Sequence, residues 1–220
     1  MDTILPFADR ADAGRRLAVR IAELELNDPV VLALPRGGLP VAKEIADRLE
    51  APLEVLVTRK IGHPAQPELG VGAIAEGGEA TYDEQLLAHL RIPAGDLAEV
   101  AAREREELRR RVDAYRGDRP LPEVTGRDVV LVDDGLATGG TARAALRMLG
   151  DREPARLVLA VPVGPADTAA ALRRVADEVV MLATPPDFRA VGQWYEKFDQ
   201  LSDEDVLAVL GRPAGEADAG

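Results

Sequence analysis

Asp128-Val129-Val130-Leu131-Val132-Asp133-Asp134-Gly135-Leu136-Ala137-Thr138-Gly139-Gly140-Thr141 is the stretch that decides the fold. An unbroken apolar run bounded by turn residues reads as a strand buried on both faces. Here the run ends in two adjacent carboxylates, then a loop of small residues, and a helix is expected from about Thr141. A strand, a glycine-rich turn and a helix in that order form the unit of an open α/β sheet, whose ligands bind at the carboxyl ends of the strands.

The same grammar recurs on either side. Val30–Leu34, Leu53–Val57, Leu157–Val161 and Val179–Leu182 are further apolar runs. Helical stretches are expected at Asp9–Leu26, Pro40–Leu49, Thr141–Leu149 and Ala166–Val175. Apolar runs alternating with helices predict α/β architecture, a doubly wound and mostly parallel sheet of five to six strands. Between the second and third runs the pattern breaks. Arg59–Pro67 is polar and rich in turn formers, and Gly70–Tyr82 reads as a hairpin turning at Gly77-Gly78. Asp96–Tyr115 reads as one long charged helix, whose interleaved acids and bases suit a solvated face with intrahelical ion pairs. A single domain over 1–210 is expected, with the hairpin and helix inserted at about 62–118. The small, acidic segment 211–220 reads as a disordered tail.

Composition narrows the function classes. In 220 residues, 27 Lys and Arg against 39 Asp and Glu give a formal net charge of −12, which argues against binding nucleic acid phosphates. The chain has no cysteine, so disulfides, thiolate metal sites and a cysteine nucleophile are excluded. Neither a secretory leader nor an apolar run of membrane-spanning length is evident, so a cytoplasmic protein without membrane contact is expected. His63 and His89 do not fall at ligand spacing with carboxylates.

Within the deciding stretch, Gly139 and Gly140 let backbone N–H groups approach a ligand closely. The helix start adds the positive end of a dipole, and Thr138 and Thr141 add hydroxyl donors. That loop suits a phosphate monoester. The carboxylates of Asp133 and Asp134 accept hydrogen bonds only, so they repel phosphate and welcome a vicinal diol or Mg²⁺. A phosphate cradle beside a diol-binding acid pair describes a ribose 5-phosphate. A tight turn with one aspartate as helix cap needs neither a second acid nor two glycines.

The segment resembles the signature of type I phosphoribosyltransferases, which bind 5-phosphoribosyl 1-pyrophosphate (PRPP), and Asp133–Thr141 is closest to the adenine-type version. Leu34-Pro35-Arg36-Gly37-Gly38 looks like that family's pyrophosphate loop, and Arg59-Lys60 like the start of its mobile catalytic loop. Phe188–Tyr195 resembles its base-side segment. The pattern as a whole, with Pro67–Ala73, is similar to bacterial phosphoribosyltransferases of unassigned substrate.

The resemblance implies a sheet in the order 3-2-1-4-5-6, with an antiparallel edge strand that the Gly70–Tyr82 hairpin could supply. It also implies a small hood built from the chain termini, and a homodimer. PRPP with Mg²⁺ is the implied donor, and a small nitrogen acceptor displaces its pyrophosphate. Asp133, Asp134, Gly135, Ala137, Thr138, Gly139, Gly140 and Thr141 would hold PRPP, the two acids also serving Mg²⁺. Arg36 and Gly37 would hold pyrophosphate, and Arg59 or Lys60 would close over it as catalytic groups. Ala137 stands where 6-oxopurine enzymes carry an aspartate, which disfavours hypoxanthine and guanine. Trp194 and Tyr195 either stack on the acceptor or pack the hood. A non-catalytic PRPP sensor is the alternative function. A hydrolase of phosphoribosyl compounds would need water-activating residues, which are not identifiable in the sequence.

Overall fold

The structure, a computed structural model, describes residues 5–212. Helix α1 (Arg10–Ala22) begins after Asp9, whose carboxylate accepts from the Asp12 N–H at 2.7 Å. Strand β1 (Val30–Ala33), helix α2 (Gly38–Leu49) and strand β2 (Leu53–Val55) follow. Strands β3 (Thr58–His63), β4 (Gln66–Ala75) and β5 (Thr81–Tyr82) lead into α3 (Glu84–Leu90) and the long α4 (Ala98–Arg116). The chain continues through β6 (Asp128–Val132), α5 (Gly140–Gly150), β7 (Arg156–Val163), α6 (Ala166–Leu172), β8 (Glu178–Ala183) and α7 (Asp203–Val209).

All five apolar runs become strands of one parallel sheet, in the order β2-β1-β6-β7-β8. Their side chains alternate between two cores, as the two-residue period of a strand requires. Val31, Ala33, Val130 and Val132 face Leu17 and Ile21 of α1 together with Ile45 of α2. Leu32, Val129, Leu131 and Leu159 face Ala145 and Leu149 of α5. Each fully buried aliphatic side chain contributes about 1.5–3 kcal/mol, so the two-sided burial of β1 and β6 makes the sheet centre the rigid platform for the loops at its edge.

The predicted antiparallel edge strand does not join this sheet. The Gly77-Gly78 turn forms as expected, but β4 pairs with β3 and β5 in a separate three-stranded sheet. A buried ion pair instead occupies part of the outer edge of β2. The Val55 carbonyl accepts from Arg116 Nη1 at 3.1 Å, and Val57 N–H donates to the Glu76 carboxylate at 3.2 Å. Arg116 and Glu76 are themselves paired at 2.7 Å and both buried. These side chains cap backbone groups of Val55 and Val57 along the edge where a further strand would pair. Arg59 and Lys60, read as the start of a mobile catalytic loop, are strand residues of β3, which pairs with β4.

The termini build the hood. Phe7 bridges to Tyr195, and Glu196 and Lys197 donate backbone bonds to the carbonyls of Phe7 and Ala8. The expected tail at 211–220 lies mostly outside the described residues, but Arg212 is described and fixed. Its guanidinium pairs with Glu54 and donates to the Tyr115 carbonyl at 2.7 Å, which anchors the chain beyond α7.

Candidate functional site

A cavity of about 520 Å³ opens at the carboxyl edge of β6. Asp133 and the loop Gly135–Thr141 form one wall, the β4–β5 hairpin with Lys60 and Tyr82 the opposite wall, and Val191 of the hood meets the cavity beside Gly135. The loop takes this shape for local reasons. Gly139 has φ +71°, the left-handed region, and a Cβ there would stand 2.8 Å from the Thr168 methyl. Only glycine meets both demands. Thr168 Oγ1 donates to the Ala137 carbonyl at 3.0 Å and pins the loop to α6. Gly140 then opens α5 with no side-chain cap, leaving the first-turn N–H groups to a ligand.

The two acids have different surroundings. Asp133 lines the cavity, and its Oδ1 accepts from the Asp134 N–H at 2.8 Å. Asp134 does not line it. Its Oδ2 accepts from Arg10 Nε at 2.8 Å, and its carbonyl accepts from the Tyr195 hydroxyl at 2.6 Å. Burial, then the charge of Asp134, pushes the Asp133 carboxyl well above the usual carboxylate range. Burial also raises Asp134, opposed by the hydrogen bond and charge of Arg10.

The segment Pro35–Gly37, read from the sequence as a pyrophosphate loop, lies beside this pair. The Pro35–Arg36 peptide bond is cis. Gly37 packs so tightly that a Cβ would fall 2.0 Å from Asp134 Oδ2. Arg36 Nη1 lies 3.8 Å from Asp203 of α7, whose carboxylate also accepts from the Tyr115 hydroxyl. Burial first, then that bond, raises the Tyr115 phenol to about 12.

The remaining predicted site residues divide. Lys60 faces the cavity and donates to the Glu68 carbonyl at 3.1 Å. Arg59 turns instead to α4, pairing with Glu104 at 2.8 Å beside a second cavity of about 320 Å³. Neither Trp194 nor Tyr195 lines the main cavity. Tyr195 lies between Phe7 and Phe198, at ring-centroid distances of 5.4 and 5.1 Å, and Trp194 packs against the same hood cluster. The aromatic ring that does line the cavity is Tyr82. His63 closes the β3–β4 turn, its Nδ1 accepting from Ala65 N–H. Among the described residues no group of three or more His, Asp and Glu could hold a metal alone, and no helix is long and apolar enough to cross a membrane. Sequence reading missed Arg10 and Tyr82. For Tyr82 the signal was its place in the predicted hairpin, whereas nothing local marks Arg10.

Comparison with known proteins agrees with this geometry. The phosphoribosyl transferase domain profile matches residues 1–197. A Mycobacterium tuberculosis protein provisionally named a phosphoribosyl transferase is 48% identical over 206 residues, 94% of this chain. The alignment covers 46% of that protein, so the chain spans about half the length of this curated relative. The adenine phosphoribosyltransferase of Mycolicibacterium smegmatis is 30% identical over 148 residues, 67% of this chain and 63% of its own. The crystal structure of TT1426 from Thermus thermophilus superposes with a TM-score of 0.79 at 46% identity, over 94% of this chain and 98% of that one. A doubly wound sheet, a glycine-rich loop at the start of α5, an acid pair at the end of β6 and a family match over most of the chain converge: the chain belongs to the phosphoribosyl transferase family.

Proposed function

We propose that the protein transfers ribose 5-phosphate from PRPP to a small nitrogen acceptor, releasing pyrophosphate. The observation that carries this reading is one cavity shared by Asp133, the Gly135–Thr141 loop and Lys60. In it the loop and the start of α5 bind the 5-phosphate, and Asp133 accepts hydrogen bonds from the ribose hydroxyls. As the bond from C1 to pyrophosphate breaks, positive charge grows on the ribose and negative charge on the leaving group. Catalysis is then positioning plus charge stabilisation. Lys60 is the cation best placed to neutralise pyrophosphate across the cavity. Arg59, held by Glu104, supports α4 instead. Arg36 and the Gly37 N–H lie outside the cavity lining, and Arg36 would reach pyrophosphate only by leaving Asp203.

Mg²⁺ suits this donor set only together with the substrate's own oxygens. Asp133 offers a hard carboxylate, Asp134 is taken by Arg10, and Mg²⁺ commonly binds through one or two carboxylates plus phosphates. Bound there, it would supply positive charge to the pyrophosphate.

The reading is tested by following pyrophosphate released from PRPP and Mg²⁺ across a panel of free nitrogenous bases. Acceptor-dependent release is expected, reduced at least roughly tenfold in Lys60→Ala, since a charged contact is worth about 1.5–3 kcal/mol. One observation favours a non-catalytic sensor. Arg36 is turned to Asp203 and does not line the cavity. PRPP binding with no release by any base would establish that alternative.

A further inference from the structure

We propose that Arg10, at the first position of α1, is a positioning residue of the ligand site. It draws the Asp134 carboxylate away from the cavity and leaves Asp133 as the one acid that meets a ribose diol. This inference rests on the phosphoribosyl reading of the cavity and divides the work of the acid pair within it.

Three contacts fix the Arg10 guanidinium. Nε donates to Asp134 Oδ2 at 2.8 Å, Nη1 donates to the Asp199 carbonyl at 2.9 Å, and the guanidinium carbon lies 3.9 Å over the Phe198 ring. A planar, delocalised cation that donates in its plane and stacks on its face suits this place, whereas an ammonium point charge fills only part of it. The side chains of Arg10 and Asp134 are 11% and 14% exposed, so the pair is shielded from water and holds one geometry.

The surroundings are shaped to this pair. Gly37 leaves the space in which the Asp134 carboxylate lies, since a Cβ there would overlap Oδ2 at 2.0 Å. The Tyr195 hydroxyl holds the Asp134 carbonyl, so hood groups grip both the backbone and the side chain of this residue. Asp133 receives no such brace. Its Oδ1 accepts from the Asp134 N–H, its carboxyl lies against that of Asp134, and it faces the cavity. Two adjacent carboxylates repel each other. A guanidinium on the far side of Asp134 sets that residue's direction and, through the Asp134 N–H, the direction of Asp133.

The test compares ribose 5-phosphate with 2-deoxyribose 5-phosphate by calorimetric titration. Their affinity ratio reports the diol contact, while phosphate binding is common to both. Wild type is expected to prefer ribose 5-phosphate roughly tenfold or more, the range of a hydrogen bond to a charged group. Arg10→Met should cut the preference to about threefold or less and leave the deoxy affinity unchanged, and Arg10→Lys should restore part of it. Asp134→Asn keeps an acceptor for Arg10 and should retain the preference, whereas Asp133→Asn abolishes it. Because Asp134→Asn removes charge without removing contact, it serves even if Arg10→Met melts early. The proposal is overturned if Arg10→Met weakens both sugars equally, if it changes neither, or if Asp134→Asn loses the preference as fully as Asp133→Asn. Wild-type binding of both sugars with equal affinity also overturns it, while leaving the phosphate loop in place. Failure of wild type to bind either sugar removes the phosphoribosyl reading itself and this inference with it.

Discussion

Gly37→Ala isolates the tightest contact of the site. The backbone at Gly37 is ordinary helical (φ −63°, ψ −36°), so alanine brings no conformational strain. The whole effect is steric. Its Cβ would sit 2.0 Å from Asp134 Oδ2 and 2.5 Å from Cγ, against an ordinary contact beginning at 3.4 Å. The carboxylate must therefore retreat by about 1.4 Å, half the length of its 2.8 Å bond to Arg10. Overpacking alone costs about 1–3 kcal/mol, and breaking a buried pair costs about 3–5 kcal/mol. Partial relaxation of the carboxylate makes about 3 kcal/mol the expected loss. For a domain of this size that lowers Tm by roughly 6–12 °C. Thermal or urea denaturation reads it directly, with Gly95→Ala as the control, since a Cβ at Gly95 meets nothing within 4 Å. A Gly37→Ala protein within about 0.5 kcal/mol of wild type, the size of an ordinary surface substitution, would refute the argued packing of Gly37 on Asp134.

Other predictions follow from the same geometry. Glu76→Gln leaves the Arg116 charge buried and unpaired and should cost about 3 kcal/mol by urea denaturation. Glu107→Ala, by contrast, should change stability by less than about 0.5 kcal/mol, although Arg110 and Arg111 lower its carboxyl to about 2, because that cluster lies in water. Asp133→Asn gives a pH signature. The folded-state pKa of Asp133 is raised, so wild type loses stability as pH climbs from the unfolded carboxylate value through the folded one. The Asn protein should therefore melt higher than wild type near pH 7, with the difference shrinking toward pH 4. A constant difference across that range contradicts the assignment.

The parallel sheet was legible because its strands are continuous apolar runs, a pattern that few other structures demand. The glycine-rich turn between β6 and α5 was legible because Gly139-Gly140 soon after an acid pair is local chemistry on one short segment. What the sequence hid lies in partners far apart along the chain. β3 carries Arg59, Lys60 and His63, so it shows no apolar alternation, and only its pairing with β4 makes it a strand. The edge of β2 is capped by Arg116, paired with Glu76, a contact across 40 positions that no local pattern announces. Trp194 and Tyr195 could be read as acceptor platforms or as packing, and the proximity of Phe7 and Phe198 places Tyr195 in the hood core. Arg10 and Asp134 are 124 residues apart, and Arg10 looks like any arginine at the start of a surface helix. Arg212 falls just inside a segment whose composition reads as tail, yet it makes a buried pair with Glu54.

We propose that the carboxyl edge of β6 binds a phosphoribosyl group. Calorimetric titration of the protein with PRPP and Mg²⁺, repeated on Asp133→Asn, tests it most directly. Saturable one-site binding by wild type, weakened at least roughly tenfold in the variant as expected for a lost hydrogen bond to a charged group, is the result this account predicts. An absence of PRPP binding by folded wild type, or equal binding by both proteins, would contradict it.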